Sequence, residues 1–293
     1  MQSIVKYNQM PKILKTIWDE FVYGGHILSL GAVSIVWSCA IILNLYIDWI
    51  FLLIVYLGIH SMYLFNRYQE IESDLNSNPE RATHLKNLRG LVVTQIIAFI
   101  SISIILLIKY GTSPALYLGI IMYFLGLLYT FKFKSFTKHI IGFKNLFIPL
   151  LYTLLLALFF YYYGYIFSTG FYLLIIFIYI RLYIATAFYD LKDVEEDKKN
   201  SLLTVAVVLP RKHFFRLILI FNVVSIIPLL IGSYFGLIPY FALILLLVVP
   251  YFWVYVLLSK KSKNLPLYSY VFCDGEYILW LPLILISKTI CNY

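Results

Sequence analysis

Apolar runs of about 20 residues recur along this chain, and they limit its fold more than any other feature. They cover roughly 26–47, 49–65, 91–109, 114–131, 145–163, 170–189, 214–232, 237–258 and 268–287. A bilayer core about 30 Å thick requires that length of a helix. A backbone inside it must satisfy its own hydrogen bonds, which selects helices, and the short alternating strands of a membrane barrel are not in the sequence. With 62% hydrophobic and only 13% charged residues, the chain is predicted to be an all-α polytopic membrane protein of about nine transmembrane helices, forming one transmembrane domain over residues 1–293.

The distribution of positive charge supports the same count independently of hydropathy. With the N-terminus in the cytoplasm, the inner connections hold Arg67, Arg81, Lys86 and Arg89; Lys132, Lys134, Lys138 and Lys144; Lys192, Lys198, Lys199, Arg211 and Lys212; and Lys260, Lys261 and Lys263. The outer connections near 48, 110–113, 164–169 and 233–236 hold almost none, Lys109 being the borderline residue. Cytoplasmic loops carry this excess of Lys and Arg, so a multi-pass protein of the cytoplasmic membrane follows, and omitting one span would scramble the pattern for all later loops. The net charge of +9 is thereby explained by topology and by anionic lipid headgroups, not by nucleic acid. Residues 1–22, with Lys6, Lys12, Lys15, Asp19 and Glu20 among scattered apolar residues, read as an interfacial segment without a cleavage site, so the first run is a retained span. Cys39, Cys273 and Cys291 lack metal or disulfide spacing.

Two polar windows stand out against this background. Asn66 to Asp74 (NRYQEIESD) and Asp190 to Asp197 (DLKDVEED) each follow directly on an apolar run, on the same predicted side of the membrane. Asn66, Glu70 and Asp74 are spaced i, i+4, i+8, and Asp190, Asp193 and Asp197 are spaced i, i+3, i+7, so each set is expected along one face of a helix. One acidic loop in a membrane protein is commonly a solvated helix end. Two in register on one side are not, because crowded carboxylates repel each other. Hard oxygen ligands in this number suit Mg²⁺, which takes one or two carboxylates together with water and phosphate oxygens. No His or Cys arrangement suits zinc.

The pair resembles the two Asp-rich motifs of the UbiA superfamily of intramembrane prenyltransferases, NDxxDxxxD and DxxDxxxD. The second window matches at Asp190, Asp193 and Asp197, with Thr204 at the threonine of a trailing GxxT and Ser201 in place of its glycine. The first window matches at Asn66 and Asp74, with Glu70 for Asp and Arg67 for the Asp after Asn. FKNL at Phe143 to Leu146 resembles a basic segment at the start of the fifth span, which includes Lys144. The resemblance implies a helical bundle around a central cavity. In it, Asn66, Glu70, Asp74, Asp190, Asp193 and Asp197 hold Mg²⁺ against a prenyl diphosphate near the cytoplasmic surface, and the prenyl group passes to a hydrophobic or aromatic acceptor. Glu70 can still ligate a metal. Arg67 cannot, but it can pair with diphosphate or with a neighbouring carboxylate.

Other residues carry weaker signals. Lys198 can hold diphosphate or serve only the charge topology, and the same alternative applies to Lys132, Lys134 and Lys144. His26 and His60 lie in or near spans, where polar residues are functional candidates by default but hydrogen-bonded packing is the simpler role. Asp274 and Glu276 can line the cavity mouth or cap the last helix, and NPER at Asn78 to Arg81 reads as a turn opening a helix in a connection long enough to form a lid. A terpene cyclase on the same fold, or a transporter or scaffold using the acidic sites for cations, are the competing functions.

Overall fold

The computed structural model describes residues 11–262 and 264–291; Lys6, Lys263 and the start of the interfacial segment lie outside them. Every regular element among the described residues is helical. Among these residues, eight helices are long and apolar enough to cross a bilayer, and a ninth crossing comes from a pair bent by 54° between Tyr23 and His26. The first member, α1 (Lys12–Tyr23), leaves Ile13, Leu14 and Ile17 exposed, as an interfacial helix does. The second, α2 (His26–Ile42), starts after Gly25 in the left-handed region (φ 89°), a conformation glycine adopts without steric cost.

The remaining long elements are α3 (Trp49–Ser77), the short α4 (Pro79–Asn87), α5 (Arg89–Tyr110), α6 (Ser113–Leu128), α7 (Phe143–Tyr163), α8 (Thr169–Tyr189) and the short α9 (Val194–Lys199). They are followed by α10 (Arg211–Val224), α11 (Ile227–Tyr234), a 3₁₀ segment Tyr240–Leu247 running into α12 (Val248–Lys261), and α13 (Asp274–Ile290). Each crossing packs on the next, and α13 packs back on α2, which closes a ring. Three of the tight connections begin a helix with a side-chain cap: Asp48 accepts from the Phe51 amide at 2.9 Å, Thr112 from Ala115 at 3.3 Å and Ser168 from Phe171 at 3.2 Å. The caps satisfy amides that a helix start otherwise leaves open.

Pro149 and Pro282 sit in the interior of an unbroken helix, and each strands the carbonyl four residues earlier. Pro149 frees the Asn145 carbonyl, which accepts from Thr186 Oγ1 of α8 at 3.4 Å. Pro282 frees the Ile278 carbonyl, which accepts from Ser34 Oγ of α2 at 3.3 Å. A neighbouring hydroxyl thus replaces each lost bond, as the bilayer demands. π-Helical turns follow α6 at Tyr129–Phe133 and precede α13 at Tyr268–Cys273, and both lie at the end of the ring that carries the acidic windows.

Candidate active site

The first window is positioned by one long helix. The apolar run ends near residue 65, but α3 continues to Ser77, well into what hydropathy marks as a connection. Asn66, Glu70 and Asp74 therefore share the expected face. Both carboxylate oxygens of Glu70 are occupied: Oε2 accepts from Arg67 Nη1 at 2.7 Å and Asn66 Nδ2 at 3.4 Å, and Oε1 from Lys134 Nζ at 2.5 Å. Asp74 Oδ2 accepts from Arg81 Nη2 at 2.7 Å and lies 4.0 Å from Arg67 Nη1. Arg81 reaches it because Pro79 opens α4 immediately after α3. The two guanidiniums are held over aromatic faces, Arg67 on Tyr63 at 5.5 Å and Arg81 on Tyr270 at 5.3 Å.

The second window departs from the expected single helical face. The α-helix stops at Tyr189, Asp190–Lys192 form a 3₁₀ turn, and Asp193 (φ −105°, ψ 6°) separates it from α9. The tighter turn, with three residues per rotation, redirects the carboxylates. Asp190 Oδ1 accepts from Lys144 Nζ at 2.6 Å and its Oδ2 from Asn145 Nδ2 at 2.7 Å; both donors follow Gly142, whose φ of 67° opens α7. Asp193 Oδ2 accepts from Lys192 Nζ at 2.5 Å, and Asp197 Oδ2 from Thr204 Oγ1 at 3.2 Å. Burial would raise the Asp193 carboxyl, but Lys192 and Lys144 beside it hold it well below the usual range. Burial pushes Asp197 up to about 6, and Asp190 and Asp193 add to the rise against Lys144.

The two windows meet. Asn78, the residue between α3 and α4, donates from Nδ2 to Asp193 Oδ1 at 3.0 Å and accepts at Oδ1 from Tyr270 at 2.8 Å. Both windows border a cavity of about 240 Å³ whose polar end is formed by Asn66, Arg67, Lys144 and Asp193. Its walls are largely apolar and aromatic and reach Ile54 on α3, about 20 Å from Arg67 at the helical rise of 1.5 Å per residue. Asp274 lines the same cavity and accepts from the Tyr189 hydroxyl, whereas Glu276 is taken by Arg181 at 2.5 Å. Lys198 is not brought in; its side chain is 52% exposed and pairs with Glu195 at 3.2 Å. His26 and His60 stack on each other at 4.5 Å and bond to Tyr56 and Ser29.

The windows differ in sign. Three cations, Arg67, Arg81 and Lys134, face the two carboxylates Glu70 and Asp74. Around Asp190, Asp193 and Asp197 there are two, Lys144 and Lys192. Unpartnered buried atoms follow the same division. Among the described residues, Arg67 Nε, Arg81 Nε and Arg81 Nη1 are donors without an acceptor, and Asn145 Oδ1 is an acceptor without a donor. Groups left unsatisfied in the interior are costly, so these atoms mark what each half would take. The second window, net negative, with an unpaired amide oxygen on Asn145 and an Asp197 carboxyl raised first by burial and then by Asp190 and Asp193, has the chemistry a divalent cation would take. The first, with cations on both Glu70 oxygens and on Asp74, does not. Among the described residues no group of three or more His, Cys, Asp or Glu converges as metal ligands, so Asp190, Asp193 and Asp197 are near one another but not gathered into a ligand set as they stand.

Four contributors were not singled out from sequence as parts of the site: Asn78, Arg81, Asn145 and Lys192. From sequence Lys134 is a phosphate contact or a topology lysine, and the structure instead ties it to Glu70. Arg81, seven residues beyond Asp74 and two after Pro79, carried the clearest available signal, since a proline at the first helical position turns the next residues back over the preceding helix end.

Solved structures show the same architecture. A UbiA homologue from Aeropyrum pernix K1 superimposes with a TM-score of 0.67 at 12% identity, covering 92% of this chain and 98% of that one. A UbiA homologue from Archaeoglobus fulgidus bound to GPP and Mg²⁺ gives 0.62 at 14% identity, covering 92% and 99%. A structure concerned with digeranylgeranylglyceryl phosphate synthase in membranes gives 0.59 at 16% identity, covering 94% and 99%. No curated protein sequence matches the chain. The model of the UbiA prenyltransferase family matches residues 28–274, more than half of the sequence, and this polytopic helical protein therefore belongs to the UbiA prenyltransferase family.

Proposed function

We propose that the chain, acting as one transmembrane unit in the cytoplasmic membrane with its N-terminus inside, transfers an isoprenyl group from a prenyl diphosphate to a hydrophobic, aromatic or lipid-like acceptor. The observation that carries this reading is the meeting of both polar windows at the mouth of a single apolar cavity, joined by the Asn78–Asp193 bond. A head rich in phosphate oxygens belongs at Arg67 and Lys144, and a hydrocarbon tail belongs against Leu155, Ile54 and Val55. The structure of the Archaeoglobus fulgidus homologue with GPP and Mg²⁺ supports the same substrate class and metal.

Asp190, Asp193 and Asp197, with Asn145, are the residues that would hold Mg²⁺, which when bound supplies positive charge against the departing diphosphate. The chain's own groups do the rest. Arg67 and Lys144 direct N–H donors to phosphate oxygens, and such charge-assisted bonds are geometrically specific for Arg. Lys134 and Arg81 hold Glu70 and Asp74 away from the anion, limiting repulsion. The bond between the first prenyl carbon and its diphosphate oxygen breaks with the electron pair leaving on oxygen. The acceptor then supplies a pair to that carbon and gives up a proton. Tyr63, Tyr152 and Tyr189 on the cavity wall can face the allylic cation with aromatic quadrupoles, and the apolar lining excludes water that would quench it.

The test is product analysis with protein in lipid nanodiscs, Mg²⁺ and a radiolabelled prenyl diphosphate. Diphosphate release accompanied by a prenylated acceptor is expected. Release with a cyclic hydrocarbon would make the protein a cyclase, and no release under any acceptor would favour a transporter or scaffold.

A further inference from the structure

We infer that the two windows divide the diphosphate between different chemistries: one divalent ion on Asp190, Asp193 and Asp197, and a direct guanidinium contact from Arg67, with Arg81 and Lys134 neutralising Asp74 and Glu70, where a second ion would otherwise sit. The inference rests on the prenyl diphosphate reading and specifies how that site neutralises its ligand.

An ion at the second window meets two resident cations, Lys144 on Asp190 and Lys192 on Asp193, against three carboxylates; at the first window three cations face two carboxylates, which weighs against a second ion there. Glu70 has both oxygens bonded to cationic side chains within 2.7 Å, through Arg67 Nη1 and Lys134 Nζ. Asp74 is shared by two guanidiniums, one at 2.7 Å and one at 4.0 Å. A divalent ion entering here would have to displace three resident cations, one of them Arg81, which is 1% exposed and cannot lose its charge. Like charges confined at this range in a poorly hydrated site repel strongly.

Of these cations, Arg67 carries the opposite invitation to an anion, and Arg81 adds to the positive potential beside it. Arg67 lines the cavity, and its Nε, together with Nε and Nη1 of Arg81, is buried without an acceptor among the described residues. Five N–H donors in a fixed fork suit phosphate oxygens bidentately, and here part of each fork is spent on Glu70 and Asp74 while the rest is open. Lys134 enters because the π-turn at Tyr129–Phe133 precedes it directly, bringing its Nζ to 2.5 Å from Glu70. A carboxylate at position 67 would leave the window two charges more negative, the charge of one divalent ion.

Counting bound Mn²⁺ by electron paramagnetic resonance tests this, with purified full-length protein titrated in the presence and absence of inorganic diphosphate. The wild type should take up one tight Mn²⁺ per chain, dependent on diphosphate. Glu70→Gln and Asp74→Asn should retain it, Asp193→Asn with Asp197→Asn should lose it, and Arg67→Asp should take up two. Arg67→Lys, which keeps the charge, should keep the count at one with roughly tenfold weaker diphosphate binding. Melting temperature and monodispersity establish that each variant is folded, and the two single carboxamide variants keep the test open if Arg67→Asp does not fold. Two Mn²⁺ in the wild type, or loss of the ion in Glu70→Gln, would overturn the division of labour while leaving the substrate reading intact. The absence of any diphosphate-dependent Mn²⁺ would overturn both.

Discussion

The two polar windows are built from similar side chains on similar scaffolds, the C-terminal ends of α3 and α8 on one side of the bundle, yet they meet the cavity with opposite sign. At the end of α3 the helix continues unbroken to Ser77, and basic residues from α3, α4 and the turn after α6 close on its carboxylates. At the end of α8 the helix breaks at Asp190 into a 3₁₀ turn and a new short helix, and the three carboxylates outnumber the two cations paired with them. The lesson is that acidic spacing alone does not define a metal site. What matters is which cations the rest of the fold delivers to the same place, and whether any oxygen is left without a donor.

Asp193→Asn combined with Asp197→Asn should have the largest effect, lowering diphosphate release about 10³-fold, on the scale of losing preorganised charge stabilisation of a leaving group. A purified double variant with wild-type release would erase the distinction between the windows. Arg67→Ala should come next, costing about 2–3 kcal/mol of diphosphate affinity, as expected for a charge-assisted hydrogen bond, with the Mg²⁺ requirement unchanged in calorimetric titration.

The pH dependence sharpens the contrast, because it should belong to the second window only. Asp197 is raised to about 6, so in the metal-free protein its contribution to stability is unfavourable at neutral pH and improves as pH falls through 6 toward the ordinary carboxylate value. A bound cation needs the charged form, so Mg²⁺ affinity should fall about tenfold per pH unit below 6. Isothermal titration at a series of pH values measures it, and a flat profile would place the metal elsewhere.

Smaller effects concern the cavity and its frame. A Cβ added at Gly58 would meet only Tyr123 Oη, at 3.5 Å, so Gly58→Leu should project into the cavity and shift preference toward shorter prenyl tails by about tenfold, the scale of one or two methylenes in an apolar pocket. Competition between prenyl diphosphates of different length reads this directly. Ser201 holds φ at 56°, in the turn that sets Thr204 against Asp197, so Ser201→Gly should add about 0.5–1 kcal/mol to stability by relieving a left-handed conformation costly for other residues. A thermal melt would check it.

Much of this organisation was legible in the sequence because a bilayer dictates segment length and forbids unpaired backbone. The crossings, their order and the shared side of the two windows followed from apolar runs and from the placement of Lys and Arg. Even the proline tolerance has a concrete form in Thr186 and Ser34. The end of α3 was less legible, because residues 66–77 leave the hydrophobic zone while remaining helical, so hydropathy marks a connection where the backbone sees none. The break at Asp190 was hidden for a related reason: spacing of i, i+3, i+7 is equally compatible with an unbroken helix. The partners were the least visible part. Lys134 lies 64 residues from Glu70, and Asn145 lies 45 from Asp190; nothing local in the sequence ties such pairs together. Lys198, adjacent to Asp197 in sequence, faces solvent instead, while Lys192 is the buried lysine, 2% exposed at its side chain.

The most direct test of the central claim is inorganic diphosphate release from a prenyl diphosphate, measured on one variant from each window in the same nanodisc preparation. If both windows grip a single diphosphate, Arg67→Ala and Asp193→Asn should each reduce release by about tenfold or more, consistent with loss of one charged contact in each. Release that persisted at the wild-type rate in either folded variant would contradict the account.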